Sequence, residues 1–173
     1  NLHKYLKRIE IMQSTEKNHF VTENYAVNCD VKVDNPFDGK KFDAAITSPP
    51  YVTALPYIDT QRISLVWLGL CSASEIGKLE ASLIGSRELL KSEKNKWAEV
   101  IKENSNDLPE AIYNLIIEMN DSLSEKDGFR KQAMPTLTYK YFSEMKDMFV
   151  NVKKMMNQDA LFGLVVGHNK TTL

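Results

Sequence analysis

A strand-length apolar run that stops at two consecutive prolines limits the fold of this chain more than any other feature: FDAAITSPPY, from Phe42 to Tyr51. A short, mostly apolar run of this kind suits a buried strand. Each proline fixes its own φ and drives the residue before it out of the helical region, so Ser48 and Pro49 are held extended and the chain leaves the strand through a stiff elbow. Neither proline carries an N–H, while the Ser48 hydroxyl and the Pro49 carbonyl can accept hydrogen bonds.

Two further stretches read as strands. ALFGLVVG, Ala160 to Gly167, is a continuous apolar run, expected to be buried on both faces of a parallel sheet, and YAVNCDVKV, Tyr25 to Val33, alternates with the period of two that a half-covered strand shows. A short helix is predicted over Leu2 to Ser14 on the stripe Leu2, Leu6 and Ile9. Pro56 suits the first turn of a helix carrying Ile58, Ile63, Val66, Trp67 and Leu70. Ser72 and Glu75 have capping-box spacing, and KSEKNKWAEVIKENSND reads as a solvated helix with a loop after it. Pro109 opens a helix striped by Ile112, Leu115, Ile116, Met119 and Leu123; SEKDGFRKQAMP follows as a polar connection. Phe142, Met145, Met148, Phe149, Val152 and Met156 then mark a last amphipathic helix whose methionines are read as core. The expected architecture is a single α/β domain, with a core over residues 1–54 and 134–173 and a large helical insertion over 55–133.

Composition narrows the setting. With 22 Lys+Arg against 23 Asp+Glu, the net charge of −1 gives no global basic field. Cys29 and Cys71 have neither zinc spacing nor the density of a disulfide scaffold, which points to a reducing, cytoplasmic home. No apolar run approaches the roughly 20 residues that cross a bilayer, so no membrane partner is expected. The chain opens on Asn1 and stops at Leu173, just after an apolar run, as a piece of a longer protein would.

In open α/β sheets ligands bind beyond the carboxyl ends of the strands, where the elbow sits. Its acceptors suit a planar ring bearing an exocyclic amine. The lone pair of such an amine is delocalised into the ring, and two fixed acceptors can hold its hydrogens while the nitrogen rehybridises. Tyr51 would stack on the base, worth about 1–3 kcal/mol, once the base has left its duplex.

Ser48-Pro49-Pro50-Tyr51 resembles the catalytic motif of the S-adenosylmethionine-dependent amino-methyltransferases, in which Asp, Asn or Ser precedes Pro-Pro and an aromatic residue. With Thr47 before it, the motif is most similar to that of DNA cytosine-N4 methyltransferases. YIDTQRISLVWLGL and IGSREL are likewise similar to the helical region after the motif in that family. The resemblance implies a partial Rossmann-like, mostly parallel sheet, S-adenosyl-L-methionine as cofactor, and methylation of cytosine N4 in DNA. Adenine N6 in DNA and a base amine in RNA are the variants. It implies catalytic roles for Ser48, Pro49, Pro50 and Tyr51, cofactor contacts from Asp30, Thr47 and Ser48, and substrate contacts from Tyr51, Arg62 and Arg87. His168 and Asn169 would share that sheet edge, and Lys91, Lys94 and Lys96 are candidates for backbone phosphates. Such chemistry needs alignment of two reactants and no metal.

One family feature is missing. The seven glycines never form the G-x-G turn with which the family holds its cofactor. If FDAAIT is the fourth strand of that sheet and YAVNC the third, the first two would precede Asn1, and this chain alone should bind cofactor weakly or not at all. The missing remainder of the enzyme, or a second copy, would then complete it. Two readings of another class stand beside this one: an inactive module that binds nucleic acid or a protein partner, and a purely structural subunit that associates through exposed apolar surface.

Overall fold

A computed structural model of the chain describes Lys7 and residues 26–37, 39–53, 57–89 and 93–167. The helix predicted over Leu2–Ser14, the residues Tyr25, Pro56, Lys91, His168 and Asn169, and the Lys94 side chain lie outside the described residues. Among the described residues the chain is a mixed α/β structure with five helices and one sheet of two parallel strands.

Strand β1, Phe42–Thr47, ends where the sequence places its end, one residue before the rigid Ser48-Pro49-Pro50 segment. Its partner β2, Met156–Leu164, pairs Ala44 with Leu161, Ala45 with Phe162, Ile46 with Gly163 and Thr47 with Leu164. The ladder continues one step further, where Val165 N–H donates to Thr47 O at 2.9 Å. β2 thus starts four residues ahead of the apolar run that predicts it. Its first residue, Met156, which the sequence assigns to the last helix, pairs instead with Phe42; the register then shifts before Ala44 meets Leu161, and polar Asn157, Gln158 and Asp159 lie in that irregularity.

The helices between the strands are α1, Tyr57–Trp67; α2, Ile76–Ser82; α3, Lys94–Glu103; α4, Glu110–Asp121; and α5, Phe129–Lys154. α1 stops in a Schellman turn: Gly69, at φ +66°, donates to Val66 O at 3.1 Å and Leu70 donates to Leu65 O at 2.9 Å. At α2 the Glu75 carboxylate accepts from both the Ser72 N–H, at 2.9 Å, and the Ser72 hydroxyl, at 2.6 Å. These bonds hold the Glu75 carboxyl below its ordinary pKa. Pro109 caps α4 as expected.

The core lies among the helices. Leu108, Ile116 and Tyr139 are fully enclosed, and Trp97, Val100, Ile101, Ile112, Tyr113 and Phe142 pack around them. α3 is therefore not the wholly solvated helix its charge suggests; Trp97, Val100 and Ile101 form a half-buried stripe packed on the core. In α5 Met145 and Met148 are buried, which fits their reading as core. α5 also covers the inner sheet face, where Phe149 meets Phe162 edge-on at 5.7 Å between ring centroids. The outer face corrects the expectation of strands buried on both sides: no described element covers it, and Ile46 and Leu161 are largely exposed.

Two further expectations are corrected. The described residues of the alternating YAVNCDVKV form no strand: residues 26–30 belong to no helix or strand and Val31–Val33 form a turn. Its backbone groups are taken locally, by Asp30 Oδ1 accepting from Lys32 N–H at 3.0 Å, Asp34 Oδ2 accepting from Asp30 N–H at 2.6 Å, and Asp30 O accepting from Val33 and Asp34 N–H. Such side-chain bonds compete directly with a sheet ladder. The second correction is the FRKQAMP part of the polar connection, which is the first two turns of α5, with Pro135 inside the helix and buried.

Candidate active site

The elbow leaves β1 beside the end of β2 and is held from four sides. From α5, the Tyr141 hydroxyl donates to Pro50 O at 2.9 Å. Burial pushes the Tyr141 pKa up, which keeps its proton available for that bond. From the end of β2, Gly167 N–H donates to the Tyr51 hydroxyl oxygen at 2.9 Å and fixes the ring. From the segment after α2, Gly85 sits at φ +79° so close to the elbow that a Cβ there would lie 2.7 Å from Tyr51 O. Beyond it, Arg87 Nε–H donates to Thr53 O at 2.7 Å. Thr53 itself lies at φ +51°, a conformation that costs a non-glycine residue about 1–2 kcal/mol and so needs such anchoring.

This sorts the oxygens of the elbow. The Pro50 carbonyl is occupied by Tyr141, whereas the Ser48 hydroxyl and the Pro49 carbonyl bond no other described residue. Ser48 is exposed, Pro49 buried, and Tyr51 37% exposed. Behind the elbow is a cavity of about 270 Å³, walled by Thr47–Pro50 on one side and by Val31, Ile84, Met145 and Phe162 on others. Thr47 closes the sheet end of that wall.

Asp30 is next to the wall residue Val31, so the structure brings it near the elbow. Its carboxylate is turned to its own segment, with Oδ1 on Lys32 N–H and Oδ2 at 3.7 Å from Lys32 Nζ. Asn151 of α5 fixes this turn by donating to Val31 O at 2.9 Å and Asp34 O at 2.8 Å. Beneath it Lys32 and Lys140 flank Glu144, at 3.6 and 3.9 Å. The same two ammonium groups donate to the last carbonyls of α2, Ser82 O at 3.1 Å and Ala81 O at 2.5 Å, where the helix end is negative. Desolvation raises the Glu144 pKa in spite of both lysines, and its Oε2 is buried with no hydrogen-bond partner among the described residues.

Arg62 is not among the residues that meet the elbow. It forms a half-exposed pair with Asp59 on α1 at 3.2 Å. Arg87 does reach the elbow, through the loop backbone. Sequence reasoning missed Gly85, Tyr141 and Gly167. Gly85 carried a signal as an isolated glycine in a polar turn. Tyr141, a half-buried aromatic on a core helix, carried none.

The described residues fit S-adenosylmethionine only in part. The cavity is smaller than the roughly 300–1,000 Å³ of small-molecule pockets, its lining is mostly apolar, and Asp30 is engaged by its own turn. These residues offer an apolar wall beside the elbow, not a complete cofactor cradle. No helix among the described residues is long and apolar enough to cross a membrane. The chain matches no family model, no curated protein and no solved structure.

Proposed function

We propose that this chain is the amine-holding side of an S-adenosylmethionine-dependent methyltransferase acting on an exocyclic amine of a nucleobase, cytosine N4 in DNA first, on a Rossmann-like sheet. Adenine N6 in DNA and a base amine in RNA use the same acceptors. The observation that carries the reading is the division of labour in the elbow. Tyr141 binds the Pro50 carbonyl, and the Ser48 hydroxyl and Pro49 carbonyl are left beside the Tyr51 ring.

In this reading the two oxygens accept the hydrogens of the amine, so that its lone pair turns from the ring toward an electrophile, and Tyr51 stacks on the extruded base. Preorganisation is the contribution of the chain. The prolines and the four anchors hold the acceptors in place before substrate arrives, so no reorganisation is required during reaction. Cofactor binding by this chain alone is weak, and calorimetric titration with S-adenosylmethionine should give no micromolar affinity.

The test is methyl transfer from tritiated cofactor at high concentration to cytosine-containing DNA, comparing the protein with Pro50→Ala and Tyr51→Ala. Label in N4-methylcytosine that falls at least ~10-fold in both variants supports the reading, since positioning groups are worth this much or more. Equal label in all three proteins, or none in any, removes it. A second reading, a binding module without catalysis, is favoured by the engagement of Asp30 in its own turn. It expects unlabelled DNA that is nevertheless retained by the protein.

A further inference from the structure

α1 is covered on little of its surface: Ile58 is its one buried residue. Exposed apolar side chains recur on it at helical spacing. Ile63 is 80% exposed, Val66 39% and Trp67 86%, and Leu70, just past the Schellman turn, is 69% exposed. Steps of three and one put Ile63, Val66 and Trp67 within one stripe, and Leu70 continues the exposed apolar surface past the helix end. This stripe is independent of the elbow and of the function proposed for it.

We propose that α1 is the interface of a two-fold homodimer, in which the Ile63–Val66–Trp67–Leu70 stripe of one copy lies antiparallel on the same stripe of the other. Area is the first argument. A tryptophan presents about 150–250 Å², and at the exposures above the stripe offers roughly 600 Å² per copy, which doubled meets the ~1,200 Å² at which stable interfaces begin.

Self-complementarity is the second argument. An antiparallel pair centred between Val66 and Trp67 sets each of these on the other and brings Ile63 opposite Leu70 of the second copy, so apolar residues meet apolar residues along the whole stripe. The Asp59–Arg62 pair is already neutral within each copy, so the two helices approach without repulsion.

Charge argues against the other occupants. Arg62 is the one basic residue of α1 and Asp59 balances it, which is a poor match to nucleic acid or to an anionic membrane surface. A tryptophan at the centre of an apolar stripe surrounded by polar positions is the usual anchor of a protein interface.

The experiment is sedimentation equilibrium of the 173-residue chain up to about 100 µM, a range that captures weak pairs. It is run with Ile63→Glu, Trp67→Glu and, as a surface control away from the stripe, Leu115→Glu, which replaces a half-exposed residue of α4. Circular dichroism establishes that each variant is folded. The expected result is a dimer for the parent and Leu115→Glu, with both stripe variants dissociating at least ~10-fold more readily. Trp67 emission should shift to the blue with concentration in the parent. A monomeric parent at the highest concentration overturns the proposal, as does dissociation of Leu115→Glu to the same degree. A blue shift that occurs only on anionic vesicles, with the protein monomeric, overturns it in favour of membrane docking.

Discussion

Replacing Gly85 by alanine tests whether the elbow is locked by close approach or only by its prolines. Two costs add at this position. The φ of +79° is strained for any residue with a Cβ, costing about 1–2 kcal/mol. The new Cβ would also lie 2.7 Å from Tyr51 O and 3.4 Å from Pro50 Cβ. The first atom is backbone, in a loop already pinned by Tyr141 and Arg87, so relief requires the whole elbow to shift. Overpacking of this kind costs typically ~1–3 kcal/mol, which brings the expected loss to about 2–5 kcal/mol.

Gly69 supplies the control. Its φ is +66°, but nothing lies within 4 Å of the place a Cβ would occupy, so Gly69→Ala carries the conformational cost alone. Urea unfolding of the parent and both variants gives the two losses from midpoint and slope. The expected result is that Gly85→Ala loses at least ~1 kcal/mol more than Gly69→Ala. Equal losses within the error of the method would mean that the elbow yields freely, and the argument from preorganisation would fall with it.

Two further outcomes follow from the same contacts. Tyr141→Phe removes the donor to Pro50 O and leaves a part-buried carbonyl unpaired, so stability should fall by about 1–3 kcal/mol in the same unfolding assay. Methyl transfer in that variant should show a lower kcat at little-changed KM. Glu144 governs a pH effect: with its folded pKa raised by desolvation, the native state holds its proton more tightly than the unfolded chain. Its contribution is therefore fully present below the ordinary glutamate pKa and is lost as pH rises through the raised one. The stability difference between the parent and Glu144→Gln, followed by urea titration at successive pH values, should shift against the parent across that window. A difference that is flat with pH would refute the assignment.

How much of this was legible in the sequence depended on whether backbone and side chains asked for the same thing. β1 was legible to the residue because the apolar run and the proline stop coincide at Thr47 and Ser48. β2 was legible in kind but not in its start, since pairing of Phe42 with Met156 is a backbone matter that polar side chains do not betray. YAVNCDVKV misled because alternation reports only where side chains could point. It is silent on Asp30 and Asp34, which satisfy the local N–H groups without a partner strand. Pro135 misled for the opposite reason. Proline disfavours a helix interior locally, and burial along α5 outweighs it.

The candidate site divides along the same line. The motif residues were visible because their chemistry is local: two fixed φ angles, a hydroxyl, a carbonyl and an aromatic ring follow one another in the chain. What holds the motif in place is not local. Tyr141 reaches Pro50 across 91 positions and Gly167 reaches Tyr51 across 116, so both contacts exist only once α5 and β2 have docked on β1. The fully buried side chains, Tyr139 and Ile116, lie in α5 and α4, whereas the outer face of the two strands is largely exposed. The stability of the elbow is therefore borrowed from the helical body. Tyr141 sits two residues from Tyr139 on the same helix, so a perturbation of the helical core reaches the Pro50 carbonyl through a single rigid element. The prolines set the shape of the elbow, and α5 sets where that shape is held.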